Sequence, residues 1–163
     1  MEKRLIIMRG VSGSGKSTKA KEVAGSQGMI LSSDEFFEQG GMYKFDPSKL
    51  GQAHKWNQDR AATAMSKGYP LIVVDNTNTQ AWEIYSYLKL GKTFGYNISY
   101  IEPDWSPDLK DEEGKWNMDF LKGRNTHGVP DHAIKRMIDR YLYKNNNETD
   151  DAFTKRVSDL VEN

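Results

Sequence analysis

No cysteine occurs in the 163-residue chain, so a disulfide framework and thiolate zinc sites are both excluded, as suits a reducing interior. Net charge is missing as well. Lys plus Arg number 23 and Asp plus Glu number 23, whereas a protein that coats long nucleic acid is basic; any nucleic-acid contact is expected to be short and local. No apolar run approaches membrane-spanning length, and none at the N-terminus has the pattern of a signal peptide. The expected location is therefore cytoplasmic, with no membrane partner. Proline is scarce at five: Pro47, Pro70 and Pro130 fall where a helix should start or end, and Pro103 and Pro107 lie in the acidic segment Glu102–Glu113, which reads as a loop. No internal repeat is visible, and the length suits one domain with a tail.

What is present begins with Gly10-Val11-Ser12-Gly13-Ser14-Gly15-Lys16-Ser17, a phosphate-binding loop of the form G-x-x-x-x-G-K-[ST]. Gly10, Gly13 and Gly15 allow backbone shapes that a side chain would forbid, and let amide N–H groups close on phosphate oxygens. Lys16 supplies charge to the β/γ-phosphates, and the Ser17 hydroxyl is the candidate Mg²⁺ ligand. A helix opening at Lys16 and running through Thr18 aims its positive end at the same phosphates. Context supports the motif: the apolar run Leu5–Met8 precedes it as a buried strand should, and the helix formers after it end at Gly25. A nucleoside triphosphate is the expected ligand. The basic bias of the first two dozen residues (Lys3, Arg4, Arg9, Lys16, Lys19, Lys21) fits it.

Further strands are expected at Met29–Ser32, Leu71–Asp75 and Asn97–Ile101, with a short helix opening at Ser33-Asp34-Glu35. Longer helices are expected from Asp46 to about Lys67, from about Thr79 to Leu90, and from Pro130 through Ile134, Met137, Ile138, Tyr141 and Leu142. Alternating strands and helices predict an α/β fold: a P-loop kinase-type parallel sheet flanked by helices. The kinase domain is placed at 1–144, with a lid at about 105–129. Residues 145–163 form a tail, with an amphipathic helix through Phe153, Val157 and Leu160.

No Asn-Lys-x-Asp base reader of a GTPase and no transporter-type ATPase signature is present, which leaves a small kinase. Phosphoryl transfer to a hydroxyl needs an acid to orient it and take its proton. Asp34 is the first candidate, at the end of the second strand; Ser33 or Asp34 equally suits a helix N-cap. Asp75 closes the strongest strand, where it could orient metal-bound water or the acceptor, or form an Asx-turn with Thr77.

At about 100° per residue, the Asp46–Lys67 helix puts Leu50, Ala53, Ala61, Ala64 and Met65 on one face. His54 and Asn57 lie in the middle of that face, Arg60 at its edge and Trp56 further round. Two readings stand: a hydrogen-bonded buried pair, or an acceptor pocket in which Trp56 stacks a base or sugar. Lys122-Gly123-Arg124-Asn125-Thr126-His127-Gly128 reads as a lid whose Arg124 could serve the transferring phosphate.

Gly13-Ser14-Gly15-Lys16-Ser17-Thr18, Ser33-Asp34, Phe45-Asp46-Pro47, Ala53-His54, Trp56-Asn57, Asp75-Asn76-Thr77-Asn78, Arg124-Asn125 and Gly128-Val129-Pro130 together resemble the polynucleotide 5′-kinase family. They are most similar to the kinase-like domain of the Nedd4-binding-protein group and its phage relatives. The resemblance implies ATP- and Mg²⁺-dependent transfer of phosphate to a 5′-hydroxyl of DNA or RNA. It assigns catalysis to Lys16, Asp34 and Arg124. Phosphate binding falls to Gly13, Ser14, Gly15, Lys16, Ser17, Thr18 and Arg124. Acceptor binding falls to Asp34, Phe37, His54, Trp56, Asn57, Arg60, Asp75 and Asn78. Phe37 stands where phage-type kinases have an arginine for the acceptor phosphate, and His127 where they have a second lid arginine. A kinase for hydroxymethylated bases or a small hydroxylated metabolite, and an ATP-binding adaptor, are the competing readings.

Overall fold

The computed structural model describes residues 2–38, 40–124 and 128–163. Four strands, β1 (Arg4–Met8), β2 (Met29–Leu31), β3 (Leu71–Val74) and β4 (Asn97–Ile101), form one sheet in the order β2-β3-β1-β4. Every pairing is parallel, with Leu5 beside Ile72 and Ile98 in the centre. The helices are α1 (Lys16–Ala24), α2 (Leu50–Ser66), α3 (Ala81–Thr93), α4 (Met118–Leu121), α5 (Asp131–Arg140) and α6 (Asp150–Glu162). This is the expected α/β architecture.

Side chains alternate across a strand, so each apolar run serves two cores. Leu5, Ile7, Ile72 and Val74 pack with Ala61 and Met65 of α2, Ile84 and Leu88 of α3, and Phe153 and Val157 of α6. Ile6, Met8 and Val73 face the other way, onto Ala20 and Ala24 of α1. Burial on both faces explains why β1 and β3 read as unbroken apolar runs. Each fully buried aliphatic side chain contributes about 1.5–3 kcal/mol. A smaller third cluster joins Val11 to Leu109, Trp116 and Leu121, and to Ile134, Ile138 and Tyr141 around α5.

Several boundaries differ from the expectation for local reasons. Asp46 accepts from Ser48 N at 3.0 Å as a cap, but the turn Pro47–Lys49 is 3-10 and α2 starts at Leu50. Leu50 is exposed rather than on the buried face. The next helix begins at Ala81, where Gln80 N donates to Glu83 Oε1 at 3.3 Å. α5 stops at Arg140, because Leu142 N leaves the helix to donate to Thr79 O at 2.7 Å. Tyr141 stays buried, donates to Glu102, and has its pKa driven well above the usual range by that burial.

Residues 145–163 carry α6, capped by Thr149 Oγ1, which accepts from Ala152 N at 3.1 Å. Phe153 stands edge-on to Tyr100 with centroids 4.8 Å apart, and Leu160 is exposed. Among the described residues no helix is long and apolar enough to cross a membrane.

Candidate active site

The phosphate loop joins the end of β1 to α1, with Gly13 at φ 85° and Gly15 at φ 87°. Left-handed conformations of that kind favour glycine. At Gly15 there is a second reason: a Cβ would lie 2.6 Å from Trp105 Nε1. Gly10 N donates to Thr77 O at 3.1 Å, which ties the loop to the segment after β3, and Ser14 N donates to Val11 O at 3.2 Å within the loop. The Ser14 side chain is fully buried and its hydroxyl has no hydrogen-bond partner among the described residues. Any part it plays toward phosphate is through its backbone.

Above the loop lies a cavity of about 510 Å³. Gly13, Gly15, Lys16, Ser17 and Thr18 form its floor, and Asp34, Asp75 and Arg124 stand around it. Four segments separated in sequence thus meet at the carboxyl ends of the strands, where open parallel sheets place their ligands. Lys16 Nζ is 3.0 Å from Asp75 Oδ1, both nearly buried.

Asp34 sits on a 3-10 turn, Ser33–Glu38, directly after β2. The turn is capped one residue earlier than expected: Ser32 Oγ accepts from Asp34 N at 3.2 Å, and Glu35 Oε1 accepts from Ser32 N at 3.1 Å. That reciprocal arrangement is a capping box. Ser32 therefore does the capping, and the Asp34 carboxylate, with no hydrogen bond or ion pair among the described residues, is left to face the cavity.

The α2 residues expected to grip the acceptor are bonded to the protein instead. Asn57 is fully buried and donates to Tyr87 Oη at 2.9 Å and to Leu31 O at 3.5 Å. Arg60 donates to Asn57 Oδ1 at 2.7 Å, to Ser32 O at 3.2 Å, and to both oxygens of Glu35. Its guanidinium lies 3.9 Å over the Trp56 ring, and Phe36 meets that ring's other side at 5.7 Å. His54 Nδ1 shares a 2.9 Å hydrogen bond with Ser33 Oγ, and burial lowers its pKa despite the charges of Glu83 and Asp34. Ser33 N donates to Asn76 Oδ1 at 2.9 Å, and Asn76 in turn reaches Tyr87 Oη at 3.3 Å. The polar groups in the apolar stripe thus hold the Asp34 turn from below. None of the four borders the cavity. An unpartnered amide or imidazole at those depths would cost about 1–3 kcal/mol, which is why these side chains bond to one another, although the buried Arg60 Nε has no hydrogen-bond partner among the described residues.

Two more assignments change. Asn78 is buried at φ 47° with its amide donating to Met8 O at 2.7 Å, so it locks the turn after β3 onto β1. Arg9, counted among the charges for polyphosphate, is 1% exposed and turned away. Its guanidinium donates to Asn78 O at 3.0 Å and lies 4.4 Å from the Tyr141 ring and 4.9 Å from that of Phe153. Phe37 is buried among aromatic rings.

Trp105 is the lining residue that motif reading missed. Its indole N–H donates to Ser14 O at 2.8 Å, and it meets Phe120 at 5.7 Å. Arg124 lies across both rings, 5.3 Å from Trp105 and 4.3 Å from Phe120, with Nε donating to Phe120 O at 3.1 Å. Lys19, ion-paired with Asp104 at 3.3 Å, also lines the cavity. Asn125, Thr126 and His127, the rest of the expected lid motif, lie outside the described residues.

A family model described as an AAA domain (AAA_33) matches residues 5–143. The chain belongs to this family. Beyond the AAA_33 match, 139 residues are 41% identical to NEDD4-binding protein 2 of Homo sapiens, covering 84% of this chain and 8% of that protein. The resemblance stated from the motifs is thereby met, although this chain spans under a tenth of that relative's length. The Pnkp1/Rnl/Hen1 RNA repair complex is similar at TM-score 0.56 and 18% identity, over 91% of this chain and 51% of that chain. The Mycobacterium tuberculosis APS kinase CysC, solved with AMPPNP and APS, is similar at TM-score 0.54 and 17% identity over 99% of both chains. These likenesses make the AAA_33 fold seen here that of the P-loop kinases.

Proposed function

We propose that this protein is a kinase that transfers the γ-phosphate of ATP to the 5′-hydroxyl of a nucleic acid. The observation that carries the reading is the meeting of Lys16, Asp75 and the unpaired Asp34 carboxylate around one cavity. A donor cradle without an opposing acid would serve binding alone; an acid across from the phosphates supplies the missing half of a transfer reaction.

The donor side fits a triphosphate. Gly13 and Gly15 leave the loop's backbone free of Cβ atoms, and α1, nine residues long, turns its N-terminus to the cavity. Lys16 leaves Asp75 for the β/γ-phosphates. Ser17 and the released Asp75 are the residues that would hold Mg²⁺, which neutralises charge developing on the phosphates. On the other side, Asp34 accepts a hydrogen bond from the acceptor hydroxyl and takes its proton as the oxygen attacks phosphorus. Arg124, parked on Trp105 and Phe120 in the free protein, is placed to stabilise the transferring group. The motif resemblance to the polynucleotide 5′-kinase family, together with the 41% identity to NEDD4-binding protein 2, supports a polynucleotide acceptor over a metabolite.

The test is transfer of label from γ-³²P ATP to a panel of 5′-hydroxyl DNA, 5′-hydroxyl RNA, nucleoside 3′-phosphates and hydroxymethylated duplex. Label is expected on 5′-hydroxyl ends, and Asp34→Ala should lose at least a hundredfold in kcat, within the range of general-base removal. Label on hydroxymethyl groups alone, or on nothing, would reject the reading.

A further inference from the structure

Of the nine large apolar side chains exposed among the described residues, four lie in the short stretch from Met42 to Leu50: Met42, Tyr43, Phe45 and Leu50. The stretch is built against the Asp34 turn. Lys44 N donates to Phe37 O at 2.8 Å. Phe37 then receives Phe45 edge-on at 5.1 Å and Tyr43 at 6.4 Å, with Phe36 on a third side at 5.4 Å. Phe37 itself is buried, while Tyr43 and Phe45 are 39% and 49% exposed. Phe37 is a hub that holds two half-bare rings in place.

The position of this cluster follows from helix geometry. In a 3-10 turn, residues i and i+3 eclipse, so Asp34 and Phe37 lie on one face of Ser33–Glu38. The rings therefore begin one turn from the candidate base, just outside the residues that line the cavity itself. Tyr43 also senses it: beside its partial burial, the charges of Asp34 and Glu38 push the phenol pKa up.

We propose that Tyr43 and Phe45, steadied by Phe37, stack the nucleobase of the acceptor's 5′-terminal nucleotide. This rests on the 5′-kinase reading above and specifies how its acceptor is held. Charge favours a base over a phosphate at this spot, since Asp34 and Glu38 both stand near Tyr43. Aromatic stacking is tolerant of base identity because every base has a π-face. Recognition of the end is thus by ring and hydroxyl, not by gripping a phosphate next to the base.

The test compares two acceptors, a 5′-hydroxyl oligonucleotide and the same oligomer lacking only its 5′-terminal base. For the parent protein, loss of the base should raise the acceptor KM about tenfold, a modest value for one stacked base. Tyr43→Ala/Phe45→Ala should show the raised KM with both acceptors, with ATP affinity by calorimetry as in the parent. Tyr43→Phe/Phe45→Tyr, which keeps both rings, should restore the difference. A double-alanine variant that still prefers the intact end as strongly as the parent overturns the proposal. So does loss of ATP affinity in step with acceptor KM, which marks the rings as structural. A parent dimer in sedimentation that the alanines dissociate with KM unmoved reassigns the patch to self-association. A parent that labels no 5′-hydroxyl end rejects the kinase reading itself, and this inference with it.

Discussion

Trp105 donates its indole N–H to the Ser14 carbonyl at 2.8 Å and occupies the space that a side chain at residue 15 would need. One residue thus shapes the phosphate loop, while its ring also carries the guanidinium of Arg124. Trp105→Phe keeps the ring and loses the donor. One neutral hydrogen bond is worth about 0.5–1.5 kcal/mol, so the ATP Kd by calorimetry should rise roughly three- to tenfold. Gly15→Ala adds a left-handed residue and a collision, and should weaken ATP by more than tenfold. An alanine variant that binds ATP like the parent would refute this account of the loop.

Lys16 and Asp75 neutralise each other in near burial. Lys16→Ala should abolish nucleotide binding and also lower Tm, because Asp75 is left without its counter-charge at a cost of about 3 kcal/mol. For a chain of this size that is about 6–12 °C. Lys16→Ala/Asp75→Asn should recover most of the Tm but none of the binding. Equal melting of the single and double variants in scanning fluorimetry would show that the pair carries no such strain.

The network beneath Asp34 is scaffold, which separates it from the cavity residues by experiment. Asn57→Ala takes one hydrogen bond each from Tyr87 Oη, Arg60 and the Leu31 carbonyl and leaves a cavity in a fully buried site. About 2–3 kcal/mol should be lost in urea unfolding, with ATP affinity unchanged. A variant as stable as the parent but impaired only in acceptor KM would instead return Asn57 to the acceptor site.

His54 gives a pH signature. Burial holds its pKa below the usual 6.5, so the folded state keeps the ring neutral. Above pH 6.5 neither state binds the proton and the residue contributes no slope. As pH falls below that value, the unfolded chain takes up a proton that the folded one refuses, and stability drops until the folded pKa is passed. His54→Gln should flatten Tm against pH in the range below about pH 6.5. Parallel profiles for variant and parent would mean that another group sets the slope.

Phe153 tests whether residues 145–163 are an appendage. It is fully buried against Tyr100, beside Arg9. Phe153→Ala should cost about 3–5 kcal/mol, read by urea unfolding. A loss below about 1 kcal/mol would make α6 dispensable to the core.

Much of this was legible in the chain itself. The phosphate loop, β1, β3 and β4 announce themselves because each is a local pattern: glycines at fixed spacing, an unbroken apolar run in β1 and β3, or the alternation of Ile98, Tyr100 and polar residues in β4. Asp34 and Asp75 could be singled out because they end such runs. The polar residues of α2 were visible as an anomaly in the apolar stripe, but periodicity cannot say whether a buried amide faces a ligand or another side chain. Tyr87 and Asn76, which answer that question, are 30 and 19 positions away from Asn57. Trp105 carried no signal at all, since its partner is a carbonyl 91 residues away. Arg9 looked like any other N-terminal cation until Tyr141 and Phe153 closed over it.

The sequence by itself determined the donor half of the site and the class of fold, because loop, strand and helix propensities act over a few neighbouring residues. Only the tertiary structure decided which polar groups remain free. Capping by Ser32 released Asp34, and closure of the α2 network withdrew His54, Asn57 and Arg60. A buried polar group takes whatever partner the packing brings within about 3 Å, and that partner is rarely its neighbour in the chain.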